Sequence, residues 1–408
     1  MYNLAINLYS FAAKVDSLFS KKVKTMLKGQ RDTFDVLRTK IDPKKEYIWF
    51  HAASLGEFEQ GRPLMERMRV EHPSYSILLT FFSPSGYEVR KNYEGADVIC
   101  YLPFDKPKNV RKFLDLAHPV MAFFIKYEFW KNYLDELTRR HIPVYSVSSI
   151  FRPDQVFFKG YGKNYSKVLR NFEHLFVQNN LSKDLLNNIG INAVTVAGDT
   201  RFDRVLQIRQ QAKNLPLVEA FKQDKITFVA GSSWQPDEEL FIDYFNHHPE
   251  VKLVIAPHVI GEDHLQQIIS KLKGKVVRYT QATLESVLDA HCLIIDCFGL
   301  LSSVYKYGEI AYIGGGFGVG IHNTVEAAVY GIPVIFGPNY QKFMEAKELI
   351  ECGGGFTINE SNDLNALLDR MLTDKDFMKS SGQKAGSYVK GRAGAADIIL
   401  NYVKDKLR

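Results

Sequence analysis

The stretch from Glu309 to Glu345, EIAYIGGGFGVGIHNTVEAAVYGIPVIFGPNYQKFME, decides how this chain is read. Ile310 to Ile313 is a short apolar run of the kind that forms a buried strand. It breaks into Gly314, Gly315, Gly316, Gly318 and Gly320. A helical pattern then starts, with His322, Asn323 and Glu326 in its first turn. A second apolar run, Ile332 to Phe336, closes the unit. Glycines let a backbone approach a ligand closely, and a helix start offers free N–H groups to an anion. Glu326 would sit one turn in, within reach of a ribose whose phosphate lies on glycines such as Gly316. The spacing is neither the dinucleotide fingerprint nor a P-loop. A tight strand-to-helix turn that binds nothing gives the same pattern.

Outward from this unit the same alternation continues. Apolar runs upstream cover Tyr47–Ala52, Ser76–Phe82, Val98–Leu102, Val120–Ile125, Val144–Ser148, His174–Val177 and Ala193–Ala197. Helical patterns such as Glu59–Val70, Lys108–Leu116 and Trp130–Arg140 lie between them. A second series covers Ile226–Ala230, Lys252–Ala256, Lys275–Tyr279, Cys292–Asp296, Glu309–Ile313, Pro333–Phe336 and Gly355–Ile358. Near-continuous apolar strands separated by helices indicate parallel sheets covered on both faces. The expected fold is α/β, with two Rossmann-like doubly wound domains facing a central cleft. The expected boundaries are an N-terminal amphipathic helix over 1–30, a first domain over 31–205 and a linker over 206–224. A second domain follows over 225–394, and a helix over 395–408 folds back toward the first.

At 408 residues the chain is too long for one ordinary core. A hydrophobic content of 46% and a charged content of 24% are those of a soluble globular protein. The four cysteines form no CxxC pair, which excludes a zinc ribbon and a disulfide framework. Cys100, Cys292 and Cys297 read as buried thiols. A net charge of +6 is too small to argue for nucleic acid, and none is expected. It suits an anionic substrate or an anionic membrane face. No run reaches the length of a spanning helix, and the N-terminus lacks the shape of a signal peptide. Instead Tyr2, Leu4, Ala5, Leu8, Tyr9, Ala12, Val15, Leu18 and Phe19 recur at helical spacing, followed by Lys21, Lys22, Lys24, Lys28 and Arg31. Such a stripe lies in a membrane interface or packs on its own domain.

Residues just after strands carry the chemistry if the strand ends line the site. After the first strand comes Ser54-Leu-Gly56-Glu57. Gly56 lets the backbone turn, and Glu57 then stands as a base toward a hydroxyl or as half of a capping box with Ser54. His51 reads as a structural histidine. Ser83 and Ser85 offer hydroxyls on the next loop. Lys126 and Glu128 follow a buried strand, while Trp130 reads as packing. Arg201 neutralises a phosphate, or pairs with Asp199 or Asp203. The second half offers Ser232 and Ser233 after one strand, Pro257 and His258 after the next, and Phe298, Gly299 and Leu300 after a third. No Asp-x-Asp pair is evident in these loops, so neither a metal nor another cofactor is expected.

Together these motifs resemble the 3-deoxy-D-manno-octulosonic acid (Kdo) transferase family, glycosyltransferases of the GT-B fold. The resemblance runs from about Tyr47 to Gly355. SLGE at Ser54–Glu57 is similar to the family's S-V-G-E, and Tyr101-Leu-Pro-Phe-Asp105 to its Y-L-P-x-D. GDTRFD at Gly198–Asp203 is similar to G-N-L-K-F-D, and GSSWQPDEE at Gly231–Glu239 to G-S-T-H-x-G-E-E. The run Gly318–Pro338 is similar to the G-G-H-N-x-x-E block. The resemblance implies an inverting, metal-independent transfer of Kdo from CMP-Kdo to the lipid A precursor, with Glu57 as general base. It implies nucleotide contacts at Pro257, His258, Phe298, Gly299, Leu300, Asn323, Thr324, Val325 and Glu326. It places transition-state stabilisation on Lys126 and Arg201. A lipid acceptor implies work at the cytoplasmic face of the inner membrane.

The chain departs from the family pattern at four of these places. Lys126 stands where the family usually has Glu, which inverts a charge, and Glu128 covers part of that role. Arg201 replaces Lys and keeps the charge. His258 replaces an Arg, and Leu300 replaces a Glu. A GT-B transferase or epimerase acting on a UDP-sugar is the nearest alternative enzyme. A non-catalytic nucleotide-sugar-binding protein at the membrane is the alternative of another class.

Overall fold

The computed structural model describes residues 2–407. The chain divides into two compact units. The first takes the residues up to Arg204 and those from Ala393 onward, and the second takes Val205–Arg392.

The first unit is built on seven parallel strands: β1 (Tyr47–Ala52), β2 (Ser76–Phe81), β3 (Val98–Tyr101), β4 (Pro119–Ile125), β5 (Val144–Ser149), β6 (His174–Val177) and β7 (Val194–Val196). Their order is β3-β2-β1-β4-β5-β6-β7, so the sheet reverses its winding between β1 and β4. Side chains alternate between faces, as the pleat requires. Tyr47 and Trp49 enter one core with Leu78, Cys100 and Phe113, while Ile48 and Phe50 enter another with Leu79, Phe81 and Phe58. With both faces covered, every β1 residue is buried, which is why the run is apolar throughout. The second core also takes Ala395, Ile399, Leu400 and Val403 from the helix Ala395–Val403. Asp203 accepts from the N–H groups of Gly394 and Ala396 and so fixes the entry of that helix.

The second unit holds β8 (Thr227–Ser233), β9 (Lys252–Pro257), β10 (Val276–Arg278), β11 (Cys292–Ile294), β12 (Ile310–Ile313), β13 (Val334–Phe336) and β14 (Gly355–Thr357). The order is β10-β11-β9-β8-β12-β13-β14, with the reversal between β8 and β12. All pairings in both sheets are parallel, so each unit gathers its strand C-terminal ends on one edge. Ligands of open α/β sheets bind at that edge, beside the reversal.

Several expectations change. The stretch expected as one helix over 1–30 is two helices, α1 (Tyr2–Asp16) and α2 (Lys21–Lys40). The first ends at Asp16, and Ser20 caps the second, its Oγ accepting from the Val23 N–H. Gly29 lets α2 lie against Tyr101, since a Cβ there would meet the ring at 2.2 Å. The stretch expected as a linker over 206–224 is built into the second unit. Leu215, Val218 and Phe221 are buried, and the Leu215 N–H donates to Tyr307 Oη at 2.8 Å. Cys297 is partly exposed, because β11 ends three residues before it.

Candidate active site

In the first unit the site residues follow β1, β2, β4 and β7. Glu57 stands in the first turn of α3 (Leu55–Glu71), directly after β1. Ser54 is the residue before that helix, but its hydroxyl does not cap a backbone N–H. It donates to the Glu57 carboxylate instead. The pair is therefore a side-chain contact rather than a reciprocal capping box. The Ser83 N–H donates to the Ala53 carbonyl at 2.7 Å, which draws the Ser83–Ser85 loop beside Ser54. Gly86 sits close enough that a Cβ would lie 3.1 Å from the Ser54 backbone.

After β4, Glu128 is held by two donors on one oxygen. Trp130 Nε1 lies at 2.6 Å and His51 Nε2 at 3.1 Å. A carboxylate only accepts, so this contact puts a proton on His51 Nε2. His51 is fully buried, and its Nδ1 faces Thr80 Oγ1 at 2.9 Å, which in turn accepts from Trp49 Nε1 at 2.8 Å. The histidine is thus satisfied and structural, and what it orients is Glu128. Lys126 adopts a left-handed backbone at φ 66°. Ser148 and Ser232 share that conformation at φ 54°, each at the C-terminal end of its strand. Such residues cost on the order of 1–3 kcal/mol apiece and collect at functional sites. Arg201 lies along Asp199, with Nε at 2.9 Å and Nη2 at 2.8 Å. Asp199 also receives the Gln60 amide at 2.8 Å, so an anion reaching Arg201 would compete with a buried, well-bound carboxylate.

In the second unit the loops after β8, β9 and β12 interlock. The indole of Trp234 stacks on His258 at 4.5 Å, and His258 stacks on His322 at 4.6 Å. Trp234 Nε1 donates to His322 Nε2 at 3.3 Å, which requires that nitrogen to be unprotonated. Burial holds the His322 imidazole below its ordinary pKa, and the neighbouring His258 adds to this. Asp237 braces the glycine loop, accepting from the Gly315 N–H, the Trp234 N–H and the Tyr312 hydroxyl. Ser233 donates to Glu238 at 2.9 Å, and His264 bonds the other oxygen of Glu238 at 2.8 Å. Burial raises the Glu238 pKa.

The glycines have a packing reason of their own. A Cβ on Gly314 would meet the Ser232 carbonyl at 2.2 Å, and one on Gly316 would meet the Gly337 backbone at 2.6 Å. The helix after them is one turn, Val325–Ala328, so His322 and Asn323 precede it and only Glu326 lies in its first turn. Asn323 Nδ2 donates to Glu326 at 2.8 Å. Thr324 is fully buried, and its hydroxyl has no partner within the chain. Pro257 ends β9 buried, and the His258 N–H donates to the Ser233 carbonyl at 2.8 Å. Phe298 is 79% exposed, and Gly299 turns at φ 84° beside Leu300.

Each unit therefore brings its expected residues to one edge. Ser54, Gly56, Glu57, Ser83, Ser85, Lys126, Glu128 and Arg201 share the first. Ser232, Ser233, Pro257, His258, Phe298, Gly299, Leu300, Gly316 and Asn323 to Glu326 share the second. Sequence reasoning missed the Trp234–His258–His322 stack and the Asp237 brace, whose partners are far apart in the chain. Among the described residues, no group of three or more His, Cys, Asp or Glu side chains is placed to hold a metal ion.

Residues 28–204 match the family model described as 3-deoxy-D-manno-octulosonic-acid transferase (kdotransferase). The chain is 28% identical over 346 residues to the 3-deoxy-D-manno-octulosonic acid transferase of Aquifex aeolicus, covering 82% of this chain and 88% of that one. It is 24% identical over 377 residues to that of Haemophilus influenzae, covering 90% and 88%. Its fold is similar to the crystal structure of UDP-GlcNAc 2-epimerase from Neisseria meningitidis, with a TM-score of 0.61 over 88% of this chain and 100% of that one. At 14% identity that likeness speaks to the fold alone. Two seven-stranded parallel sheets, each doubly wound, make the GT-B architecture. The chain is a glycosyltransferase that carries a 3-deoxy-D-manno-octulosonic-acid transferase domain over residues 28–204 and is similar to transferases of that name over most of its length.

Proposed function

We propose that this enzyme transfers Kdo from CMP-Kdo to the lipid A precursor with inversion and without a metal, at the cytoplasmic face of the inner membrane. The observation that carries the reading is Glu57, a partly exposed carboxylate directly after β1, beside the winding reversal of the first sheet, in a chain similar to this family. As general base it takes the proton of the acceptor hydroxyl while that oxygen attacks the donor's anomeric carbon, and the CMP phosphate leaves with the bonding pair. Ser54 orients the carboxylate. Lys126 and Arg201 are the cations suited to the departing phosphate, and Glu128, fixed by His51 and Trp130, sets the field around them. Ser83 and Ser85 are suited to the acceptor. In the second unit, Ser232, Ser233, Pro257, His258, Phe298, Gly299, Leu300, Gly316 and the run Asn323–Glu326 serve the nucleotide. The unpartnered Thr324 hydroxyl supports a polar ligand there, since a buried donor without a partner costs about 1–3 kcal/mol.

The burial pattern of α1 favours the membrane reading over the core-packing one. Its buried face is Ile6, Ser10 and Ala13. Leu4, Leu8, Phe11 and Val15 are between 45% and 66% exposed on the opposite face, and Leu18 and Phe19 in the following turn are 78% and 85% exposed. No helix among the described residues is long and apolar enough to cross a membrane. An amphipathic helix with an apolar face and adjoining lysines suits the interface of an anionic bilayer.

The test is transfer of labelled Kdo from CMP-Kdo to a tetraacyl lipid A precursor, with UDP-sugars as alternative donors. Transfer from CMP-Kdo and none from UDP-sugars is expected; the reverse preference overturns the reading. Glu326→Ala should weaken CMP binding by about 1.5–3 kcal/mol if its carboxylate takes a ribose hydroxyl. Calorimetry showing unchanged affinity removes Glu326 from the donor site.

A further inference from the structure

A cavity of about 1170 Å³ opens where α1 turns into α2, above the chain leaving β3. It is lined by Lys14, Lys21, Lys24, Lys28, Arg31 and Lys106, and by no acidic residue. Among the described residues none of these six cations makes an ion pair. Elsewhere in the same unit Arg62, Arg67, Arg90, Arg140 and Arg204 all do. Like charges gathered without a counterion repel, and an anion relieves them. Gln30 gives an independent sign. It is 5% exposed and lines the cavity, yet its Nε2 has no hydrogen-bond partner. An amide nitrogen only donates, so the missing partner is an acceptor oxygen. Burial and the nearby Lys14 also lower the pKa of Lys106.

The mouth of the cavity identifies the source of the anion. Leu18 and Phe19 line it and are 78% and 85% exposed. They continue the apolar stripe of α1. A free ion has no use for that rim, and the volume exceeds the ~300–1,000 Å³ that holds a drug-sized ligand. Cations inside and exposed apolar residues at the lip match an amphiphile with a phosphate in its headgroup.

We propose that this cavity binds the phosphate-bearing headgroup of an anionic bilayer phospholipid, one lipid per chain, with its acyl chains leaving past Leu18 and Phe19. The proposal rests on the interfacial reading of α1, and it adds a discrete site to a diffuse attraction. Headgroup occupation would fix the α1–α2 corner against the bilayer. Tyr9 of α1 stacks on Phe82, and Phe82 packs at a tilt against Trp130, which holds Glu128. The seat of the lipid and the candidate catalytic edge are thus parts of one packed surface.

The test is calorimetric titration of the full chain with dihexanoyl phosphatidylglycerol below its micelle concentration. Inorganic phosphate and dihexanoyl phosphatidylcholine serve as comparisons. Saturable binding at one site is expected, at least roughly tenfold tighter than either comparison. Lys24→Ala/Lys28→Ala should lower the affinity roughly 10- to 100-fold, as loss of charge-assisted contacts does. Lys22→Ala/Lys40→Ala, on the same helix but outside the lining, should change it less than about twofold. Gln30→Met, which keeps size and charge, should also weaken binding, and serves if the lysine pair fails to fold. Equal affinity for inorganic phosphate overturns the lipid assignment. Equal loss in the control pair, or no saturable binding, overturns the site. Kdo transfer measured on the same preparations separates the two readings. Headgroup binding without transfer counts against the proposed function alone, and transfer without headgroup binding counts against this proposal alone.

Discussion

At the scale of the residue, Glu57 and His322 make the sharpest claims. Replacing Glu57 with Gln keeps the shape and the Ser54 contact but removes the base. Turnover should fall roughly 10²- to 10⁴-fold while CMP affinity holds. A loss of thermal stability with turnover intact would mean that the residue only steadies the start of α3. His322 gives a pH dependence. Burial lowers its folded pKa, with His258 adding and Asp237 partly opposing. A depressed folded value means that protons prefer the unfolded chain. Its stabilising contribution is therefore complete above the unfolded value of about 6.5 and is lost as pH falls through the lower folded value. In proton NMR, the imidazole resonance absent from His322→Gln should titrate below about pH 6.5. A midpoint above that would contradict the Trp234 hydrogen bond, which requires a bare Nε2. Glu57 was legible because its signal is local, four consecutive residues after an apolar strand. The His322 stack was not, because Trp234 bonds it across 88 positions. Only the fold of β8 and β12 as neighbours brings the two together.

At the scale of the element, strands were more legible than helices. Parallel strands covered on both faces read as near-continuous apolar runs, as β1 and β4 do. The N-terminal helices were less legible. Leu18 and Phe19 carry the helical period straight through the turn at Ser17–Ser20, so the apolar pattern hides the break that Ser20 makes. The one-turn helix Val325–Ala328 was overread for a related reason. Its apolar residues continue to Val329, but Gly331 at φ 77° turns the chain back toward β13. The exposed stripe of α1 yields a prediction. Leu8→Asp with Phe11→Ser should abolish sedimentation with anionic vesicles, since each buried apolar side chain supplies about 1.5–3 kcal/mol. Raised salt should weaken binding of the unaltered chain, because each lysine near the surface is worth only about 1 kcal/mol and is screened. Vesicle binding that survives both changes would place the membrane contact elsewhere. Neither substitution touches the packing face of Ile6, Ser10 and Ala13, so folding should be unaffected.

At the scale of the molecule, the first unit is discontinuous in sequence and the second is not. The chain leaves the first unit after Arg204 and returns at Ala393. Ile399 and Val403 are fully buried in the core formed by Phe50, Phe58 and Leu79, and Ala395 is buried with them. Closing the first unit thus depends on residues far along the chain from the rest of that unit. Cutting Ile399 to Ala should cost roughly 2–5 kcal/mol, a large part of the 5–15 kcal/mol that holds a domain. Deleting 395–408 removes four core side chains and one of the two N–H donors to Asp203, that of Ala396. The deletion should abolish the melting transition of the first unit. The second unit keeps its own sheet and core, with Phe228, Phe241, Leu253, Ile255 and Tyr312 at its centre. Residues 205–392 expressed alone should therefore fold and melt as one transition, and should still bind CMP if the donor reading holds. Two calorimetric scans decide the point. If the deletion leaves both transitions of the full chain in place, the C-terminal helix is an accessory, and the contacts of Ile399 contribute little. If 205–392 is unfolded alone, its core is not self-sufficient, and the two units must be treated as one cooperative body.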